Sequence, residues 1–387
     1  MKIKEVSASK INDSRKEKTI LVSIKTSNGK MFSASSPNGK SVGKYATKIY
    51  KKSLEEDIKT IKKFSDYFSE EINCLDDLEK IEEILSGHVG ANTLFAFESS
   101  ILKSLAVEKK KQIWQLINPK AKKFPRFVGN CIGGGKHSFT EKKPDFQEFL
   151  LIPKTKTIKN AFGSNKKSKK EIGILLEKAD ENFKNKKNDE DAWMTPLNEK
   201  EVLEILRNLK IPLGLDIAAS SFYTRKKYNY KNPLIKRDND EQLEYVSNLI
   251  KNFDLFYIED PFEENDFESF TKLLKKFPDK LIVGDDLTVT NYERTEKAIK
   301  EKSINAIIIK PNQCGSLLNV KKVCDLAKKN NIKLVFSHRS GETKESILSD
   351  LAFGFQADFF KVGITGNERE AKIKRLIEIE KSLDRKS

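Results

Sequence analysis

The 387-residue chain, with 37% hydrophobic and 34% charged side chains, is long enough for one or two folded domains and has the balance of a soluble globular protein. Its formal charge of +16, from 73 Lys+Arg against 57 Asp+Glu, would suit a polyanion, but charge of both signs is spread along the chain as on a solvated surface. Aromatic residues do not interleave with basic clusters as a nucleic-acid stacking platform requires, so a nucleic-acid partner is not expected. Cys74, Cys131, Cys314 and Cys324 form no CxxC pair, which fits reduced thiols. The opening MKIKEVSASKINDSRKEK lacks the apolar stretch of a signal peptide, and no run approaches the roughly 20 apolar residues of a membrane span. The expectation is a cytoplasmic protein with no membrane partner.

In chain order, TILVSIKT alternates, Asn28-Gly29 supplies a turn and MFSASS returns, which predicts a small antiparallel sheet over the first 36 residues. The loop PNGKSVGK (37–44) follows. Gly39 and Gly43 permit unusual backbone angles there, and Ser41 and Lys44 could meet an anion, although a surface hairpin loop is the favoured reading of the segment taken alone. From Ala46 to about Ala106, apolar residues recur at threes and fours between charges, predicting helices. A sheet followed by helices makes an α+β amino-terminal domain, residues 1–120, with its boundary in QLINPKAKKFPRF at Pro119 and Pro125.

Residues 121–387 have a different rhythm. RFVGNCIGGGKHSF predicts a strand entering a glycine-rich turn closed by His137, and FQEFLLIPKT a second buried strand opened by Gln147 and Glu148. A lone histidine beside glycines is more often structural than catalytic. The stretch Lys156 to Asn188 is lysine-rich and helical, a solvated face leading into the acidic turn NDEDAW. After Glu199, helical segments alternate with apolar runs that each end in a polar group: LGLDIAAS (Asp216), LFYIEDPF (Glu259), LIVGDDL (Asp285), AIIIKPNQ (Lys310), LVFSHRSG (His338) and DFFKVG (Lys361). Short runs of Ile, Val, Leu and Phe suit strands of a parallel sheet, and unpaired charge cannot stay inside such a core, so each run ends where its polar residue emerges. Repeated strand–helix units with polar groups at nearly every strand end predict an α/β fold of the TIM type, a (β/α)8 barrel with its site at the carboxyl ends of the strands.

Three carboxylates from successive strands, Asp216, Glu259 and Asp285, with no arginine apparent between them, form the hard oxygen set that Mg2+ takes. A single such Asp would more simply cap the following helix. Lys310, at the end of an apolar strand and near a metal, is expected to have a lowered pKa and to act as a base. Lys361 is better suited as a fixed positive charge, and His338-Arg339-Ser340 as a grip on phosphate. Metal, base and anion clamp together point to proton abstraction next to a carboxylate.

The segments IKPNQCGS, SHRSGET, GDDLTVTN, IEDPF and GLDIAAS resemble the signature segments of the enolases, which interconvert 2-phosphoglycerate and phosphoenolpyruvate in glycolysis and gluconeogenesis. INDSR near the start, PNGKSVG beside the family's mobile PSGASTG loop, GANT and QEF extend the resemblance over nearly the whole chain. It implies the ββαα(βα)6 form of the barrel and a homodimer or higher homo-oligomer. It implies two Mg2+ per active site, the first on Asp216, Glu259 and Asp285, the second arriving with substrate and held in part by Ser41. It further implies Lys310 as the base at C2, Lys361 as the countercharge to the substrate carboxylate, and Glu190 as the acid at the C3 hydroxyl, aided by Glu148. His137, Gln147, His338, Arg339, Ser340 and Ser41 would contact the substrate.

The departures from the family pattern lie in loops. GDEGG has become Asn188-Asp189-Glu190-Asp191-Ala192, and the added carboxylate is expected to raise the pKa of Glu190 or to reshape its loop. Lys40 replaces a small residue, Gly133 an asparagine, Ser221 a glutamate and Val362 a threonine, and YATKIYKKS replaces an acidic segment. These changes leave open a paralogue with altered substrate, or an enolase-like protein that binds RNA or another polyanion with catalysis secondary. The intact catalytic set argues against the latter.

Overall fold

The computed structural model describes residues 1–40, 43–68, 70–181 and 183–384. Strands β1 (Ile3–Asn12), β2 (Lys18–Thr26) and β3 (Met31–Ser35) form an antiparallel sheet in the order β1-β2-β3, with Ile20, Val22 and Ile24 of the middle strand fully buried. Their spacing of two puts all three on one face. Helices α1 (Leu54–Lys63), α2 (Glu79–Leu85), α3 (Ala91–Glu108) and α4 (Ile113–Ile117) follow, and α3 packs on β2 and β3.

The helical prediction from Ala46 onward starts too early. Helix α1 begins at Leu54, where the Ser53 side chain accepts the Glu56 amide. The preceding segment is held open because its carbonyls are used elsewhere: Lys48 and Ile49 accept the amides of Ala91 and Asn92, capping the first turn of α3. Local periodicity cannot register that demand.

Strands β4 (Arg126–Gly133), β5 (Glu148–Leu151) and, after helices α5 (Ile158–Ala179) and α6 (Glu199–Leu206), β6 (Leu213–Asp216) open the barrel. The lysine-rich helix is thus shorter than the Lys156–Asn188 stretch. A small sheet of β7 (Tyr223–Thr224), β8 (Lys227–Lys231) and β9 (Leu234–Arg237) precedes α7 (Asn239–Phe253). Then β10 (Tyr257–Glu259), α8 (Phe267–Lys276), β11 (Leu281–Gly284), α9 (Tyr292–Lys300), β12 (Ala306–Ile309), α10 (Pro311–Cys314), α11 (Leu317–Lys329), β13 (Lys333–Ser337), α12 (Ile347–Gly354), β14 (Phe359–Gly363) and α13 (Asn367–Asp384) complete it. The barrel closes in the order β10-β11-β12-β13-β14-β4-β5-β6.

Every strand pair in the barrel is parallel except β4–β5 and β5–β6. Because β5 returns antiparallel to β4, two helices rather than one are needed to bring the chain back for β6, which gives the ββαα(βα)6 order. The reversal has a functional result. Glu148 opens β5 and pairs in register with Asp216, the last residue of β6, so the start of β5 lies at the same end as the finish of the parallel strands.

Candidate active site

A packed cluster containing Val128, Leu150, Tyr257, Val283, Ile308 and Phe359 fills the barrel. Adding two residues toward the active end of each strand reaches Asn130, Glu148, Glu259, Asp285, Lys310 and Lys361. Side chains two apart on a strand share a face, so the same alternation that packs the interior turns its top layer polar. Asp216 and Glu259 are cross-strand neighbours in register, as are Ser337 and Lys361.

Lys361 is the hub. Its ammonium lies 2.8 Å from Asp216 Oδ2, 2.8 Å from Glu259 Oε1 and 3.2 Å from Glu148 Oε2, with all four side chains at most 4% exposed. The Tyr257 hydroxyl donates to Glu259 Oε2 at 2.7 Å, and Gln147 Nε2 to Asp216 Oδ2 at 3.3 Å. Burial opposes charge on Lys361, but Asp216, Glu148 and Glu259 outweigh it and hold its pKa well above the ordinary value. A lysine therefore stands among the carboxylates where the sequence showed no neutralising arginine.

Lys310 pairs with Asp285 Oδ2, while Asp285 Oδ1 is buried and has no hydrogen-bond partner among the described residues. The pKa of Lys310 is raised, contrary to expectation: burial pulls it down, and the adjacent Asp285 charge more than offsets that. Next to it, Asp260 accepts the backbone amides of Asp285 at 2.9 Å and Asp286 at 2.6 Å, fixing the turn that presents both. Acidic oxygens from Asp260, Asp285 and Asp286 come within 4.8 Å of one another, as do ligand atoms of His137, Glu148 and Glu190.

On the opposite wall, His137 Nδ1 lies 3.4 Å from Glu148 Oε1 and 3.5 Å from Glu190 Oε1. Burial disfavours its charge, yet Glu190 and Glu148 prevail and raise it to about 9. Of the two expectations for Glu190, a raised pKa or a reshaped loop, the first is not met. Burial does act in that direction, but His137, Arg369 and a 2.9 Å hydrogen bond from Asn130 hold it below the usual carboxylate range. Asp191, the added carboxylate, turns away: its backbone is left-handed at φ 61°, and its side chain pairs with Lys169 at 2.8 Å. His338 is pushed well below the ordinary histidine value by burial and by Arg369, and its Nε2 lies 3.7 Å from Glu190.

The Arg339 amide donates to Glu342 Oε1 at 3.0 Å, and its guanidinium to Asn312 Oδ1 at 3.2 Å. Ser340 Oγ accepts from the Lys40 amide at 2.8 Å and from Arg15 Nη1 at 3.1 Å. Two of the hydroxyl's acceptor positions are thereby used and its proton is left to donate. One cavity brings these groups together: its lining includes His137, Gln147, Glu148, Glu190, Asp216, Asp285, Lys310, His338, Arg339, Ser340 and Lys361. Ser41 lies outside the described residues. Lys44, the other candidate in its loop, is exposed and does not line the cavity, whereas Lys40 does.

Several residues of the site were not singled out from sequence. Asn130 and Tyr257 touch the acids through the two-residue alternation, and Asp286 borders the cavity beside Asp285. That alternation is visible in the sequence for Asn130 and Tyr257. The roles of Arg15 and Arg369, which reach Ser340 from opposite ends of the chain, have no local signal.

A family model described as "Enolase, C-terminal TIM barrel domain" matches residues 121–387. The enolase of Pyrobaculum aerophilum is 39% identical over 317 residues, covering 79% of this chain and 74% of its own length. Enolases of Methanosphaera stadtmanae and Methanothermobacter thermautotrophicus are 35% and 34% identical, each covering 98% of this chain and 97% of their own. With the barrel topology, the polar layer at its active end and relatives matched from end to end in agreement, the chain belongs to the enolase family.

Proposed function

We propose the following division of labour for the enolase reaction of this lyase, the reversible dehydration of 2-phospho-D-glycerate to phosphoenolpyruvate. The observation that carries it is the junction of two charge systems in one cavity, Lys310–Asp285 on one wall and His137–Glu148–Glu190 on the other. Dehydration across adjacent carbons needs a base at one carbon and a proton donor at the next, and two opposed walls supply them. Lys310 takes the C2 proton. Glu190, with the proton shared through His137 and Glu148, serves the departing C3 hydroxyl. Lys361 faces the substrate carboxylate, and Arg339 and Ser340 grip the phosphate, with Gln147 and His338 completing the contacts.

Asp216, Glu259 and Asp285 are the residues that would hold a divalent metal, although their oxygens are not all gathered within 4.8 Å of one another as those of Asp260, Asp285 and Asp286 are. All offer hard oxygens, Asp216 and Glu259 already converge on one cation at 2.8 Å, and Asp285 Oδ1 is buried without a donor among the described residues. Mg2+ held there would supply Lewis-acid stabilisation of the substrate carboxylate, and Asp285, once engaged with it, would loosen its hold on the Lys310 proton. A second Mg2+, arriving with substrate, belongs with Ser41 in this reading.

The test is ultraviolet detection of phosphoenolpyruvate from 2-phosphoglycerate with Mg2+ and with an EDTA control. The expected result is Mg2+-dependent turnover that Lys310→Ala abolishes while its circular dichroism stays native. Protein silent at all Mg2+ concentrations across about pH 6 to 9 would overturn the assignment. The same reading divides the chain into residues 1–120 and 121–387 and makes it a cytoplasmic homodimer or higher oligomer, supported by the family resemblance. Light scattering of the purified protein tests the assembly state. For the described residues, no helix is long and apolar enough to cross a membrane.

A further inference from the structure

Segment 37–40 is fastened to one wall of the cavity by its backbone. The Asn38 amide donates to the Gly341 carbonyl at 2.7 Å, the Asn38 carbonyl accepts from the Gly341 amide at 2.9 Å, and the Lys40 amide donates to Ser340 Oγ at 2.8 Å. Gly39 lies against the Arg339 guanidinium so closely that a Cβ there would come within 1.6 Å of Nη2. These contacts tie the segment to the anion-gripping residues and leave the Lys40 side chain as the part that can reach the opposite wall.

That side chain crosses to two other segments. Its Nζ stands 4.5 Å above the centre of the Phe139 ring and 3.8 Å from Asp189 Oδ2. Asp189 adjoins Glu190, its side chain is only 6% exposed, and neither of its oxygens has a hydrogen-bond partner among the described residues. A buried carboxylate with no donor is costly unless charge compensates it; His137, Lys40 and Arg15 all lend it positive charge, and Lys40 is the one that reaches it as an ion pair from the 37–40 segment. Phe139 is 67% exposed, so the ammonium sits between an aromatic face at the rim and a buried acid behind it.

We infer that Lys40 is a positioning residue: by bridging Phe139 and Asp189 it braces segment 37–40 against the Glu190 loop, so that the phosphate grip and the proton donor are held at a fixed separation around the substrate. The inference rests on the enolase reading for its substrate, but the brace itself is a property of this chain's side chains. Lys40 touches neither reacting carbon in this assignment. Its effect passes through the Ser340 contact on one side and the Asp189–Glu190 turn on the other.

The pair is partly solvated, with Lys40 29% exposed, so its strength belongs near the upper end of surface ion pairs. Lys40→Met, which keeps the length and removes the charge, should raise KM for 2-phosphoglycerate about three- to five-fold with a smaller change in kcat. Lys40→Arg should restore it. Asp189→Asn should produce a similar rise, and the double variant should be no worse than either single one, because both remove the same contact. Hydrogen exchange of the purified protein without substrate gives a readout independent of turnover: peptides covering 37–40 and 188–191 should exchange faster together in Lys40→Met and Asp189→Asn, and at the parent rate in Lys40→Arg. Unchanged exchange in both peptides, or KM effects of the two substitutions that multiply in the double variant, would overturn the brace. If the parent lacked enolase turnover, the catalytic reading would fall while the exchange experiment still decided the brace.

Discussion

Replacing Lys361 by Met removes a cation shared by Asp216, Glu259 and Glu148. A surface ion pair would be worth about 0.2–1 kcal/mol. Here the lysine and its three partners are between 0% and 4% exposed, so the substitution strands several buried carboxylates, and a loss of about 3–5 kcal/mol is expected. The pH dependence has a definite sign. Lys361 is raised in the folded protein, so its stabilisation is fully present below the unfolded lysine value and is lost only as pH rises through the folded one. Across the weakly acidic to weakly alkaline range the lysine term is therefore constant, and the variation comes from the carboxylates. Burial already raises Asp216 and Glu259, and without Lys361 they rise further, so the variant's deficit should be small near pH 5 and grow toward about pH 8. Urea unfolding of parent and variant in EDTA, followed by tryptophan fluorescence at several pH values, measures it. Adding Mg2+ should narrow the deficit, since a dication on the same carboxylates replaces the lost charge. A deficit under about 1 kcal/mol at pH 8, or one that fails to shrink on acidification, would refute the reasoning.

Asn188 accepts the amides of Glu190 at 3.0 Å and Ala192 at 2.9 Å, and its side-chain nitrogen would lie 2.2 Å from a Cβ at Gly133. Gly133→Ala should therefore cost about 1–3 kcal/mol by thermal or urea unfolding, and Asn188→Gly in the same chain should recover part of it. Glu98, fully buried in α3, is raised well above the ordinary value by burial first and by Glu82 second, while its Oε2 accepts the Leu317 amide at 2.7 Å. Because a raised carboxyl loses stability as pH climbs from its unfolded to its folded value, Glu98→Gln should be more stable than the parent by about 1–2 kcal/mol in mild alkali and should lack that slope. Cys74 is exposed and Cys131 is buried, its thiol pushed up to about 12 by burial, so a disulfide reagent should titrate Cys74 at once and Cys131 only on unfolding.

Much of the site was legible because a barrel strand is a simple periodic object. An apolar run ending in Asp216, Glu259, Asp285, Lys310 or Lys361 announces both a buried strand and the place where it meets solvent or a ligand. Protonation was not legible in the same way. Lys310 beside an apolar strand reads as a depressed lysine until Asp285 is seen against its ammonium. Glu190 next to another acid reads as a raised carboxyl until Asp191 is seen turned toward Lys169 and His137 in its place. A pKa depends on partners within a few ångströms, and those partners come from strands far apart in the chain.

The sequence by itself determined the barrel, the end of it that carries chemistry and the residue types gathered there, because strand periodicity and the cost of burying charge act locally. Only the tertiary structure decided which charges neutralise which. It set Lys361 among three carboxylates and Lys310 against Asp285. It also used the antiparallel turn of β5 to carry Glu148 to the active end, and it stretched Lys40 across to Asp189. Those choices follow from closing eight strands in a fixed register, which brings side chains from distant parts of the chain into contact.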